Sequence, residues 1–179
     1  MTQNRTLSLI LPAFGAAIIA ALAQIIIPIG AVPIPLQTFA VGLVAAILKP
    51  KEATLAATLY LILGAIGLPV FAGGGGGLQA FFGPSTGYLL AYPFFALVTS
   101  KLTHAETPIW KIFVAFVLGD ALVFVGGILS LHFLGKMGWS AAVAVGLTPF
   151  IIPDLLKGLI VALVTKPVLK ALKNQSYFN

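Results

Sequence analysis

Long apolar runs recur along the whole chain, and no other feature limits its fold so strongly. Runs near residues 7–27, 53–68, 84–101, 109–134 and 145–172 are separated by short polar or Gly/Pro segments. A transmembrane helix needs about 20 apolar residues at 1.5 Å of rise each, and these five runs are candidates. A sixth, residues 36–48, is short and follows Pro28, Pro33 and Pro35, which hold the connecting backbone extended or turned. With 60% hydrophobic and 8% charged residues among 179, the composition lies outside that of soluble globular domains. The expectation is an all-α integral membrane protein with a single domain over residues 1–179. Its architecture is expected to be a six-transmembrane-helix bundle with a short second span and irregular outer loops capping a pocket.

A secretory signal peptide competes for the first run, because Arg5, an apolar stretch and the triplet Ala21-Leu22-Ala23 occur in that order. The stretch is too long for a signal-peptide core, and it continues into Ile25, Ile26 and Ile27 instead of a polar mature start. The absence of cysteine excludes disulfide and thiolate chemistry. A net charge of +6 could suggest nucleic acid, yet the charges are scattered through loops without a base-stacking pattern. Membrane topology explains them better. Six spans place Arg5, Lys49, Lys51, Lys101, Lys111, Lys166, Lys170 and Lys173 on one side and only Lys136 on the other. The positive-inside rule then puts both termini in the cytoplasm. Lys166, Lys170 and Lys173 share a helical face suited to the anionic headgroups of the lipid bilayer.

Three unusual features fall on the outer half of such a bundle. The stretches 28–37 and 69–87 are too apolar for ordinary wet loops and too rich in Pro and Gly for helix. Irregular backbone at membrane depth persists only where it is buried in protein or lines a cavity. The glycines at 73–77 are followed by no Gly-Lys-Ser/Thr, which argues against a phosphate loop, and their apolar and aromatic flanks favour a capping loop over a linker. Gln37, Thr38, Gln79, Ser85, Thr86 and Tyr88 supply neutral hydrogen-bonding groups near the same face. The third feature is an acid and a base, Asp154 and Lys157, in "FIIPDLLKGLIVALV". Pro149 and Pro153 mark a helix start or kink there, so Asp154 sits where the helix dipole favours an anion and Lys157 lies on the same face. A mutual ion pair that tolerates burial is the bland reading, but charges inside spans by default mark function.

Asp120, in "LGDALVF", has no basic neighbour one turn away. It reads either as a proton or cation relay or as a single carboxyl, protonated or hydrogen-bonded to other helices. His132 and His104 complete no metal set with it. Pairing Asp120 with Asp154 as the acids of an intramembrane enzyme is disfavoured, since their helices run in opposite directions and their depths are expected to differ. No nucleophile accompanies them, and no catalytic residue is assigned. In the first span, Ala13, Ala17 and Ala21 form one row of small residues and Ala16 and Ala20 another, allowing close approach of a helix. Internal packing and docking of a partner fit that spacing equally.

"AVPIPLQTFAV", "LGAIGLPVFAGG", "FGPSTGYLLAY" and "PDLLKG", in this order and spacing, resemble the BioY family, the biotin-binding component of energy-coupling-factor (ECF) transporters, over nearly the whole chain. The resemblance implies a six-helix substrate-binding subunit in a prokaryotic cell membrane. It would capture biotin from outside and work with a transmembrane coupling protein and a pair of cytoplasmic ATPases. No cofactor is implied, since biotin is cargo. By the same resemblance Asp154 and Lys157 contact biotin, helped by the Gly-rich loop with Gly73 and Gly74 and by the Gly-Pro-Ser-Thr-Gly-Tyr segment. The alanine face of the first helix is similar to a surface for docking the coupling protein. Runner-up readings are a binding subunit for another vitamin and a solitary proton-coupled carrier using Asp120.

Overall fold

A computed structural model describes residues 2–28, 33–173, 175 and 177. The described chain is mostly helical. Helix α1 spans Thr2–Ala23, and strands β1 (Ile26–Ile27) and β2 (Ile34–Pro35) follow as a two-stranded antiparallel ladder. Helices α2 (Gln37–Ile47), α3 (Pro50–Ala65), α4 (Thr86–Leu102), α5 (Ile109–Phe133), α6 (Trp139–Gly146) and α7 (Ile151–Leu172) complete the bundle. Two short 3-10 turns, Ala72–Gly74 and Leu78–Phe81, lie between α3 and α4.

Local sequence accounts for the element boundaries. Pro50 occupies the first turn of α3, where a missing N–H costs nothing. The last apolar run divides at Pro149 into α6 and α7, which meet at a 43° bend. Pro153 falls in the first turn of α7. The 139–146 helix lies mostly ahead of the sequence expectation, whose last apolar run begins near residue 145. By length and composition α1 and α5 are each able to cross a membrane, and α6 with α7 would make a third, bent crossing. Helix α2 is an apolar element of only 11 residues. The triplet Ala21-Leu22-Ala23 forms the last turn of α1, with Ala23 fully buried in the bundle.

Packing follows residue size. The interior uses small residues, including Ala40, Ala45, Ala53, Ala56 and Ala57, with Tyr60, Phe95 and Phe116 filling the space between them. The rings of Phe95 and Phe116 meet edge to face at 5.1 Å. Phe116 occupies space that a side chain at Gly42 or Gly158 would need, so these two glycines bring α2 and α7 against α5. Leu9, Phe14, Ile62, Phe94, Leu118 and Ile160 point outward, as expected of a bundle whose surroundings are hydrocarbon.

Candidate ligand-binding cavity

A cavity of about 570 Å³ lies where α2, α4, α5 and α7 converge with the hairpin and the glycine-rich loop, within the size range of small-molecule sites. Its wall is mostly apolar, with Pro33, Phe71, Leu89, Tyr92, Val123, Phe124 and Phe150 among its lining residues. Asp154 and Lys157 face it from the first turns of α7, and both are nearly inaccessible to solvent, at 4% and 6% exposure. The Lys157 ammonium is 2.6 Å from Asp154 Oδ1. It also donates to the Thr38 hydroxyl at 3.0 Å and to the Pro35 carbonyl at 2.9 Å. The Thr38 hydroxyl in turn donates to Asp154 Oδ1 at 3.1 Å. An ammonium has three protons, so these three acceptors saturate Lys157. Asp154 Oδ1 receives both charged-site bonds, and Oδ2 takes none of them. The cavity therefore meets a carboxylate whose position is fixed by a neighbouring cation and hydroxyl.

The other residues picked from the sequence divide into two groups. Gln37, Thr38, Ser85 and Tyr88 line the cavity with the ion pair. The Gln37 amide donates to the Tyr60 hydroxyl at 2.6 Å, and the Tyr88 hydroxyl donates to the Gly146 carbonyl at 2.8 Å. Gly73, Gly74, Gln79 and Thr86 are not among the lining residues, although Ala72, Gly75 and Gly83 beside them are. Gln79 donates to the Gly76 carbonyl at 2.5 Å, and Thr86 to the Gly83 carbonyl at 2.6 Å, so both side chains brace the loop itself. The loop is a folded structure: Phe71 and Gly75 form a bridge, and Gly73, Gly74 and Gly77 take positive φ angles that only glycine adopts without strain. The Gln24 amide ties the Phe71 carbonyl to the end of α1 at 3.3 Å.

Tyr92, Phe124, Leu131 and Phe150 line the cavity but escape the sequence reading. Tyr92 carried a usable signal, since it follows Tyr88 by one helical turn. The others look like ordinary span residues. Asp120 is 5% exposed, and no donor reaches its Oδ1. It lies within electrostatic range of both Asp154 and Lys157. His132 stacks on Trp139 at 3.9 Å, and its Nδ1 lies 2.7 Å from the Met137 carbonyl, a packing arrangement at the C-terminal end of α5.

The alanine rows of α1 separate. Ala16 is buried and Ala20 half-buried, whereas Ala13, Ala17 and Ala21 are exposed. At the other end of the bundle Lys166 caps the Ala105 and Thr107 carbonyls at 3.1 and 3.0 Å, and Lys173 pairs with exposed Glu106 at 2.9 Å. The Lys173 ammonium holds the Glu106 carboxyl below its usual range. Of the three tail lysines, only Lys170 makes no such contact among the described residues, so the lysine face expected to meet headgroups is partly engaged within the protein.

Comparison with known proteins decides the family, because the BioY family model matches residues 1–174. The chain belongs to the BioY family. "Biotin transporter BioY2" of Lactococcus lactis subsp. cremoris is 40% identical over 179 residues, covering 99% of this chain and 98% of the relative. "Biotin transporter BioY" of Thermotoga maritima is 38% identical over 148 residues, covering 83% of this chain and 87% of the relative. A crystal structure of the S-component for biotin from an ECF-type ABC transporter superposes with a TM-score of 0.87 at 28% identity, covering 100% of this chain and 99% of that one. A shared BioY fold thus extends over the elements that form the cavity, and the chain is a membrane protein of a transporter family.

Proposed function

We propose that the protein is the high-affinity biotin-binding S component of an ECF vitamin importer, taking biotin from the extracytoplasmic side and passing it inward. The observation that carries this reading is the Asp154–Lys157–Thr38 cluster in the wall of an otherwise apolar cavity, in a chain of the BioY family. Biotin's fused ring is compact and largely apolar, and its ureido group offers two N–H donors. Asp154 Oδ2 is the acceptor for one of them, and the fixed carboxylate makes the bond charge-assisted in a low-dielectric site. Because Lys157 is saturated, the valerate carboxylate points toward the mouth, near Ser85 and the glycine-rich loop. That loop, with Gly73, Gly74, Gln79 and Thr86 bracing its shape, caps the bound vitamin.

In this reading α1 to α5 are five spans and the bent α6–α7 pair is the sixth, with both termini cytoplasmic as the lysine distribution requires. ATP hydrolysis belongs to a separate pair of ATPase subunits, reached through a transmembrane coupling protein that docks on the exposed Ala13, Ala17 and Ala21 face. Equilibrium titration of the purified protein with labelled biotin tests the assignment, beside an Asp154→Asn/Lys157→Met double variant of verified fold. Saturable binding abolished in the variant is the expected result. A well-folded wild-type protein that fails to bind would refute it.

A further inference from the structure

Asp120, buried in the middle of α5, is an acid that the binding reading leaves without a task. It sits on α5 one turn from Val123 and Phe124, which line the cavity. Its Oδ1 is shielded from solvent and reached by no hydrogen-bond donor. The titratable groups within electrostatic range of it come from two helices: Asp154 and Lys157 on α7 and Tyr92 on α4. Helices α2 and α6 contain none. Lys157, the only cation in this group, already has each proton assigned to Asp154, Thr38 and Pro35. An ionised carboxylate in such a place would lack a counter-ion of its own and leave Oδ1 without a donor, a state that buried groups avoid at a cost of several kcal/mol.

We propose that Asp120 is a proton-bearing, uncharged carboxyl that keeps the cavity free of net negative charge and thereby admits a ligand that carries a carboxylate. The inference rests on the biotin-binding reading for the ligand's charge. Asp154 and Lys157 cancel at 2.6 Å. If Asp120 were ionised, the site would carry a net charge of −1 and repel the valerate group. A unit charge about 10 Å away, at an effective dielectric of about 20, changes affinity on the order of tenfold. Asp120 is therefore a positioning residue for charge: it touches no ligand and sets which ionic forms the cavity accepts.

Infrared spectroscopy of the purified protein reads the proton directly, through the carbonyl stretch of a protonated carboxylic acid. The chain has four Asp and Glu residues, of which Asp154 and Glu106 are ion-paired. Glu52 is the other buried candidate, and Glu52→Gln removes it. The expected result at neutral pH is a protonated-acid band that survives Glu52→Gln and disappears in Asp120→Asn, with the latter binding biotin within about threefold of wild type. A wild-type spectrum without the band would overturn the proposal whether or not any variant folds. So would a folded Asp120→Asn protein that binds tenfold or more weakly, because the neutral isostere should replace a neutral acid. If wild-type protein shows the band but binds no biotin, the ligand assignment and the charge-matching role fail, while the protonated Asp120 stands.

Discussion

At the residue scale the candidate site depends on a few atoms whose roles differ from what their identities suggest. Asp154 and Lys157 were legible in the sequence because charge inside an apolar run is conspicuous. Thr38 was legible only as a polar neighbour, since nothing in a sequence shows that its hydroxyl closes the triangle between acid and base. Thr38→Val should weaken biotin binding roughly ten- to a hundredfold, because it removes two bonds to charged groups worth about 1.5–3 kcal/mol each, partly offset by relaxation. Titration of the variant measures this, and an unchanged affinity would remove Thr38 from the site. Gln79 and Thr86 illustrate the reverse case. Their types fit a ligand contact, but their side chains turn back onto carbonyls of their own loop, a choice set by backbone conformation that composition does not encode.

At the element scale prolines and glycines explain both what could be read and what could not. Pro149 marked the break in the last apolar run, and the structure has the break there. Helix α6 escaped because most of its eight residues precede the apolar run near 145–172 that reads as the last span. The glycine-rich loop was recognisable as built structure in place of a linker, and Ala72 and Gly75 line the cavity, but its particular turns needed coordinates. Gly77 has φ of 92°, a conformation that costs a residue with a side chain about 1–3 kcal/mol. Gly77→Ala should shift the loop and speed biotin dissociation at least severalfold, read by stopped flow, with little change in the helical circular dichroism. Gly158→Ala acts on packing instead. Its new methyl would lie 2.7 Å from Phe116 Cδ1, and overpacking of about 1–3 kcal/mol outweighs the gain of about 1 kcal/mol in helix propensity. The expected outcome is a melting temperature lowered by a few degrees.

At the scale of the whole molecule the bundle was legible from its long apolar runs, and many of its large aliphatic groups face outward. The proposed orientation rests on lysine counts. Which alanine row faces outward was not legible, because Ala13/Ala17/Ala21 and Ala16/Ala20 have the same spacing and only tertiary packing tells them apart. Ala17→Phe should abolish co-purification with the coupling protein and leave biotin affinity within about twofold. Ala16→Phe, by contrast, should destabilise the fold because Ala16 is buried. Retained co-purification in Ala17→Phe would reject the docking face. The central claim is that a carboxylate fixed by Lys157 and Thr38 recognises an N–H of biotin's ureido ring. Its most direct test is the affinity of wild-type and Asp154→Asn proteins for biotin and for an analogue methylated on the ureido nitrogens. The account predicts that methylation costs the wild type at least tenfold and the variant much less, since the variant has already lost the charge-assisted bond. Equal affinity of the wild type for both ligands would contradict it.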